Sequence, residues 1–169
     1  MVFPFQEWDE MESAFVSGHV KAVSAEETEL ARLRTANRAE VGNAVILPEI
    51  IGMAPVNAVV QTNDPSWLVL INTTISALIR AEELGITTEN LDASKESKDP
   101  EILYLLGITR GVGTVVGLDD QWVERVIRAV GNYGQAFERD LGASSGLSIE
   151  RSSNQNWRHG GLLYAMPIQ

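Results

Sequence analysis

Residues 131–142 read GNYGQAFERDLG, and they follow DDQWVERVIRAV at residues 119–130. The first run places Trp122, Val123, Val126, Ile127 and Val130 on one face of a helix that starts behind aspartates. Gly131 falls where a helix takes its left-handed closing residue. Asn132 can then cap a new helix, with Gln135 three residues on to complete a capping box. Tyr133, Ala136, Phe137 and Leu141 line the buried face of that second helix, and Gly142 ends it. One continuous helix through Gly131 and Gly134 would cost about 1 kcal/mol per glycine. The stretch is therefore expected to be a helix–turn–helix joint, not a ligand loop.

The same punctuation recurs upstream. NDPSWLVLINTTISALIRAEELG at residues 63–85 has Asp64 as cap, Pro65 in the first turn and Gly85 as the stop. Its apolar positions leave only a thin polar face, so this long helix is expected to be largely buried. KDPEILYLLG at residues 98–107 repeats the device with Asp99, Pro100 and Gly107. Nearer the start, QEWDEMESAFVSG predicts an amphipathic helix closed by Gly18, and EETELARLRTANR predicts a second, with acids first and arginines last. VFPF at residues 2–5 and HVKAV at residues 19–23 read as strands, so the chain opens β-α-β-α. NAVILPEI and VNAVVQT, at residues 43–50 and 56–62, are two more β-branched strand candidates. The expected class is α/β, with a helix-rich C-terminal part. The tail from residue 147 is irregular and is expected to wrap a groove.

Composition narrows the function classes. The 169 residues are 44% hydrophobic, enough for a core, and 13 basic against 23 acidic residues leave a net charge of −10. Nucleic acid is a poor partner for such a chain, because its binding relies on Lys and Arg neutralising phosphates. No apolar run approaches ~18 residues, so membrane insertion is not expected. With no cysteine, disulfides, zinc–thiolate sites, iron–sulfur clusters and a Cys nucleophile are excluded. RGVGTVVG at residues 110–117 lacks both the G-K-[ST] ending and the G-x-G-x-x-G spacing of phosphate loops. His19 and His159 have no metal spacing around them, and GASSGLS contains no G-x-S-x-G elbow. No catalytic, metal or cofactor site is expected.

The acids Glu7, Asp9, Asp64, Asp99, Asp119 and Asp120 are accounted for as caps and dipole partners. Glu26 and Glu27 stand at the C-terminal end of an expected strand, the edge at which parallel α/β sheets bind ligands. A carboxylate there can receive an ammonium group or can simply start the next helix; both readings stand.

NAVILPEIIG, ISALIRAEELGITTENLD, DPEILYLLG, GLDDQWVERVIRAVGNYGQAFERDLG and NWRHGGLLYAMP, in this order, resemble the C-terminal half of the general L-amino-acid-binding proteins. These are periplasmic solute-binding components (extracellular solute-binding family 3) of polar amino-acid ABC transporters. The match extends back through FVSGHVKAVSAEETELARLR. The resemblance implies part of a type II periplasmic-binding-protein fold. Residues 1–40 would be a remnant of the second lobe, residues 41–62 the crossover or hinge strands, and residues 63–169 the helical part and tail of the first lobe. It implies an amino-acid ligand, an ABC permease as partner and a periplasmic location; the chain carries no leader, so Met1 as a true start would place it in the cytoplasm.

The resemblance also puts Glu26, with Ser24 beside it, where the family's acidic residue receives the ligand's α-amino group. The family's pattern there is Thr-Thr-Asp, against Ser24-Ala25-Glu26 here. Its N-terminal part, with the arginine that clamps the ligand carboxylate, has no counterpart in this sequence. The expectation is a truncated or split binding protein that holds amino acids weakly without its missing half, with a stand-alone homodimeric interaction module as the alternative.

Overall fold

The computed structural model describes residues 1–61, 63–110 and 113–168. Two compact units divide the chain, Met1–Val56 with Leu141–Glu150, and Asn57–Asp140 with Arg151–Gln169.

In the first unit, α1 spans Trp8–Val16, α2 Glu27–Ala36 and α3 Arg38–Val41. Helix α1 carries Asp9 and Glu10 in its first turn and is followed by Gly18 at φ +76°. The single helix expected over residues 26–38 is interrupted at Asn37, whose backbone leaves the helical region at φ −109°, ψ 31°. The Asn37 side-chain amide donates to Glu12 Oε1 (2.6 Å), which ties that break to α1. Ala31 and Leu33 of α2 are buried, as is Ile149. Arg34 donates to the Leu147 carbonyl (3.1 Å) and holds the returning segment.

Among the described residues there is no strand, only an isolated parallel bridge between Asn156 and Leu163. The expected β-α-β-α opening is not seen among the described residues: residues 2–5, 19–23 and 43–50 are irregular, as are residues 56–61, while Thr62 lies outside the described residues. Local β-propensity does not make a strand, because the backbone amides and carbonyls need a ladder partner. Val2, Val45, Leu47, Val56 and Val59 remain exposed.

The second unit is helical and better packed. Helix α4 spans Pro65–Glu83. Asp64 Oδ1 accepts from the Trp67 amide (3.0 Å), and Gly85 closes the helix at φ +69°. Only its second half is buried, at Ala77, Ile79, Ala81 and Glu83. The expectation of a largely buried helix holds for that half and fails for the first, where Trp67, Leu68 and Val69 are exposed. Next come α5 (Leu91–Ser94), α6 (Pro100–Leu105) and α7 (Gly113–Val116). The Asp99 side chain accepts from the Glu101 amide (2.9 Å) at the start of α6. Part of the glycine-rich run at residues 110–117 is thus a single helical turn; residues 111 and 112 lie outside the described residues. The core gathers Ala77, Ala81, Leu91, Leu106, Val123 and Ile127, with Ile168 of the tail packed against it. Each of the larger buried side chains, Leu91, Leu106, Val123 and Ile127, contributes roughly 1.5–3 kcal/mol.

Helix α8 spans Trp122–Val130 and α9 Tyr133–Asp140. Between them the reciprocal capping box is complete: the Gln135 amide donates to Asn132 Oδ1 (2.9 Å) and the Asn132 amide to Gln135 Oε1 (3.1 Å). Gly131 closes α8 at φ +81°, ψ −175°, outside the left-handed helical region expected for it but in a conformation open to glycine. The joint is also welded to the loop after α4. Buried Asn132 donates through Nδ2 to the Ile86 carbonyl (2.7 Å), and Gln135 Nε2 donates to Thr88 Oγ1 (2.9 Å).

Candidate functional site

Glu26 occupies the N-cap position of α2 with an extended backbone (φ −63°, ψ 142°), and its side chain makes no capping bond. Its carbonyl accepts the first helical bond, from the Leu30 amide (3.0 Å). Ser24 lies two residues earlier, and both side chains are exposed. Glu27 and Glu29 share the first turn of the helix. The N-terminal end of a helix carries partial positive charge that favours carboxylates, which explains the acids without any ligand. An exposed carboxylate can pair with an ammonium group, but in water such a pair is worth only about 0–1 kcal/mol. A shallow cleft of about 510 Å³ in the same unit is lined by Asp9, Glu12, Ser13, Val16, Ser17 and Asn37, without Ser24 or Glu26. Both Glu12 carboxylate oxygens already accept, from Trp8 Nε1 (2.9 Å) and from Asn37.

The most buried cluster of ion pairs among the described residues escaped the sequence reading. It is built on Glu82 and Glu83, consecutive carboxylates in the last turn of α4. The Glu83 side chain is 2% exposed. Its Oε1 accepts from Trp157 Nε1 (3.0 Å) and from the Ala165 amide (2.9 Å). Its Oε2 pairs with Arg80, which also pairs with Glu101. Donation of its N–H groups to the Glu101 carboxylate, with support from Glu83, raises the Arg80 guanidinium above its ordinary pKa. Glu82 takes Arg151 in a two-pronged pair at 2.5 and 3.0 Å, with side chains 11% and 9% exposed. Arg151 also donates to the Asn154 carbonyl (2.7 Å) and lies 5.5 Å from the Phe137 ring centre and 5.8 Å from that of Tyr133.

Gly134 makes room for this pair, since a Cβ there would lie 2.9 Å from an Arg151 guanidinium nitrogen. The cluster straps the tail onto α4 and consumes its own charges, so it is a structural clasp. One signal for it was present: two carboxylates at a helix C-terminus oppose the helix dipole and call for cations from elsewhere.

Among the described residues no group of three or more His, Asp or Glu could hold a metal ion, and no helix is long and apolar enough to cross a membrane. His19 Nδ1 lies 3.3 Å from Ser17 Oγ, and His159 ends a 3-10 turn at Trp157–His159.

No family model matches the chain. Individual proteins do. It is 37% identical, over 98% of its own length, to the general L-amino acid-binding periplasmic protein AapJ of Rhizobium johnstonii, and covers 49% of that protein. It is 37% identical over 95% of its length to the glutamate/glutamine/aspartate/asparagine-binding protein BztA of Rhodobacter capsulatus, covering 47% of it. The chain is a homologue of the periplasmic amino-acid-binding proteins of ABC transporters. A putative amino-acid ABC transporter-binding protein of Escherichia coli, YhdW, is 34% identical over 98% of the chain. A solved ABC transporter/periplasmic binding protein from Brucella ovis, with glutathione bound, superposes at a TM-score of 0.85 with 40% identity. That likeness takes in 98% of this chain and 52% of the other. The chain thus spans about half the length of the curated relatives it matches, as a C-terminal half would. These relatives are binding proteins of transporters, not enzymes.

Proposed function

We propose that this chain is one half of an amino-acid-binding protein serving an ABC transporter in the periplasm, delivering its ligand to a membrane permease. The observation that carries this reading is homology along nearly the whole chain to proteins named for amino-acid binding, at half their length. In this reading Glu26 receives the ligand's α-ammonium and Ser24 stands beside it. Residues 1–40 belong to the second lobe, residues 41–62 to the hinge strands, and residues 63–169 to the first lobe. The unpaired segments near the start would become strands once partner strands are supplied.

The ligand's carboxylate needs a cation that the remaining half of the fold provides. A free amino acid has two charged ends, and a charge taken from water without a partner is expensive. Glu26 serves one end only, and it lies open to solvent. The chain alone therefore binds free amino acids weakly or not at all. Isothermal titration with a panel of acidic, amide, basic and apolar amino acids tests this, and micromolar affinity of the chain alone would overturn it.

The uncovered apolar side chains on α4 favour a second reading, a homodimeric interaction module with no transport role. Light scattering separates the two, since a stable monomer removes the dimer.

A further inference from the structure

Residues 47–59, LPEIIGMAPVNAV, are exposed without a break. Leu47 is 68% exposed, Ile51 84%, Val56 87% and Val59 95%. No hydrogen bond or ion pair joins residues 45–61 to any other described residue. A Cβ added at Gly52 would meet nothing within 4 Å, so the space beside the backbone is open. The irregular stretch after α9 differs, because it carries its own bonds. There the Ile149 amide donates to the Leu141 carbonyl (3.0 Å), the Leu162 amide to Ser153 (2.9 Å) and the Leu163 amide to Gln155 (3.1 Å). Backbone amides and carbonyls are strong hydrogen-bonding groups, and those of residues 47–59 are left to solvent or to a visiting molecule.

An endopeptidase takes its substrate in this form. Its cleft pairs edgewise with an extended backbone, whose free amides and carbonyls give affinity, while pockets for alternate side chains give specificity. The side chains select the class of enzyme. From residue 39 to residue 66 there is no Lys, Arg, Phe, Tyr or Trp, so pockets for basic or aromatic side chains find nothing. Glu49 is the single charge between residues 41 and 63. Proline lacks the amide proton and has a fixed φ, which disfavours the Leu47–Pro48 and Ala54–Pro55 bonds. The bonds after Ile50, Ile51, Val56 and Ala58 follow aliphatic side chains and precede no proline. We infer that residues 47–59 are an endoproteolytic cleavage site for an endopeptidase whose specificity pocket takes small aliphatic side chains. Hydrolysis breaks one backbone C–N bond; water gives its hydroxyl to the new carboxyl group and its proton to the new amino group. The site stands on exposure and on the unused backbone, whether or not the chain serves transport.

The test is limited digestion of the folded 169-residue chain by pancreatic elastase, with the products mapped by intact mass. Elastase has aliphatic targets along the whole chain, within α2, α4 and α8 among others, so its first choice is informative. The first internal cut is expected within residues 47–59. A bond inside a helix must first open locally, so cuts within α4 and α8 are expected to be at least about tenfold slower. The variant Ile50→Asp/Ile51→Asp/Val56→Asp/Ala58→Asp presents carboxylates to the apolar pocket, and is expected to slow the cut at least about tenfold. Leu162→Ser/Tyr164→Ser, on the exposed tail, is expected to leave it unchanged.

Two results would overturn the inference: a first internal cut outside residues 47–59, or an intact chain after the same elastase has fully digested casein. A variant cut within this span as fast as the wild type, with an unchanged thermal transition, would overturn the assignment to an aliphatic pocket. The mapping uses the unaltered chain, so it decides the matter even if the variant misfolds.

Discussion

Arg151→Met is the sharpest probe of what holds the second unit together. The substitution keeps most of the apolar stem and removes the guanidinium. Glu82, 11% exposed and with both carboxylate oxygens committed to Arg151, is left charged without its partner. The bond to the Asn154 carbonyl and the stacking on Tyr133 and Phe137 are lost as well. Breaking a buried pair from one side costs about 3–5 kcal/mol, because the remaining charge stays desolvated. For a chain of this size that lowers the melting temperature by roughly 6–20 °C. Urea and thermal unfolding followed by circular dichroism measure it. Removing both charges, as Glu82→Gln with Arg151→Met, is expected to recover at least about 1 kcal/mol. A loss no larger than that of Asp119→Asn, which breaks the solvent-exposed pair to Arg125, would refute the reasoning.

Two further predictions concern the helical joint and the surface charges. Asn132→Ala removes both a cap and a buried bond to the Ile86 carbonyl, and is expected to lower unfolding stability by about 1–3 kcal/mol; an unchanged urea midpoint would contradict the capping box. Asp92 is held below its ordinary carboxylate pKa of 3.8 chiefly by Arg128, and Glu124 below 4.5 chiefly by Lys95. A depressed folded-state pKa stabilises fully above the ordinary value and is lost as pH falls through the folded one. Arg128→Gln is therefore expected to flatten the acid limb of the stability profile below about pH 4.5, and an identical limb in the variant would count against these pairs.

Local chemistry was well legible in the sequence. Asp64 with Trp67, Asp99 with Glu101, and Asn132 with Gln135 span two or three residues, so propensity and capping locate them before anything packs. Glu26 could likewise be placed at the start of a helix. Contacts across long stretches of chain were not legible. Arg151 meets Glu82 across 69 residues, Trp157 meets Glu83 across 74, and Gln135 meets Thr88 across 47. The segments expected as strands carry no ladder among the described residues, because a strand depends on a neighbour that its own residues do not specify.

What the sequence determined by itself was the longer helices, most of their ends and the kinship they reveal. The tertiary structure decided which apolar faces are covered. Periodicity names the apolar side of α4, but only packing tells that Ala77 and Ala81 are enclosed while Trp67 and Ile75 are not. Burial is a property of what lies opposite a side chain, and that partner is chosen by the whole fold.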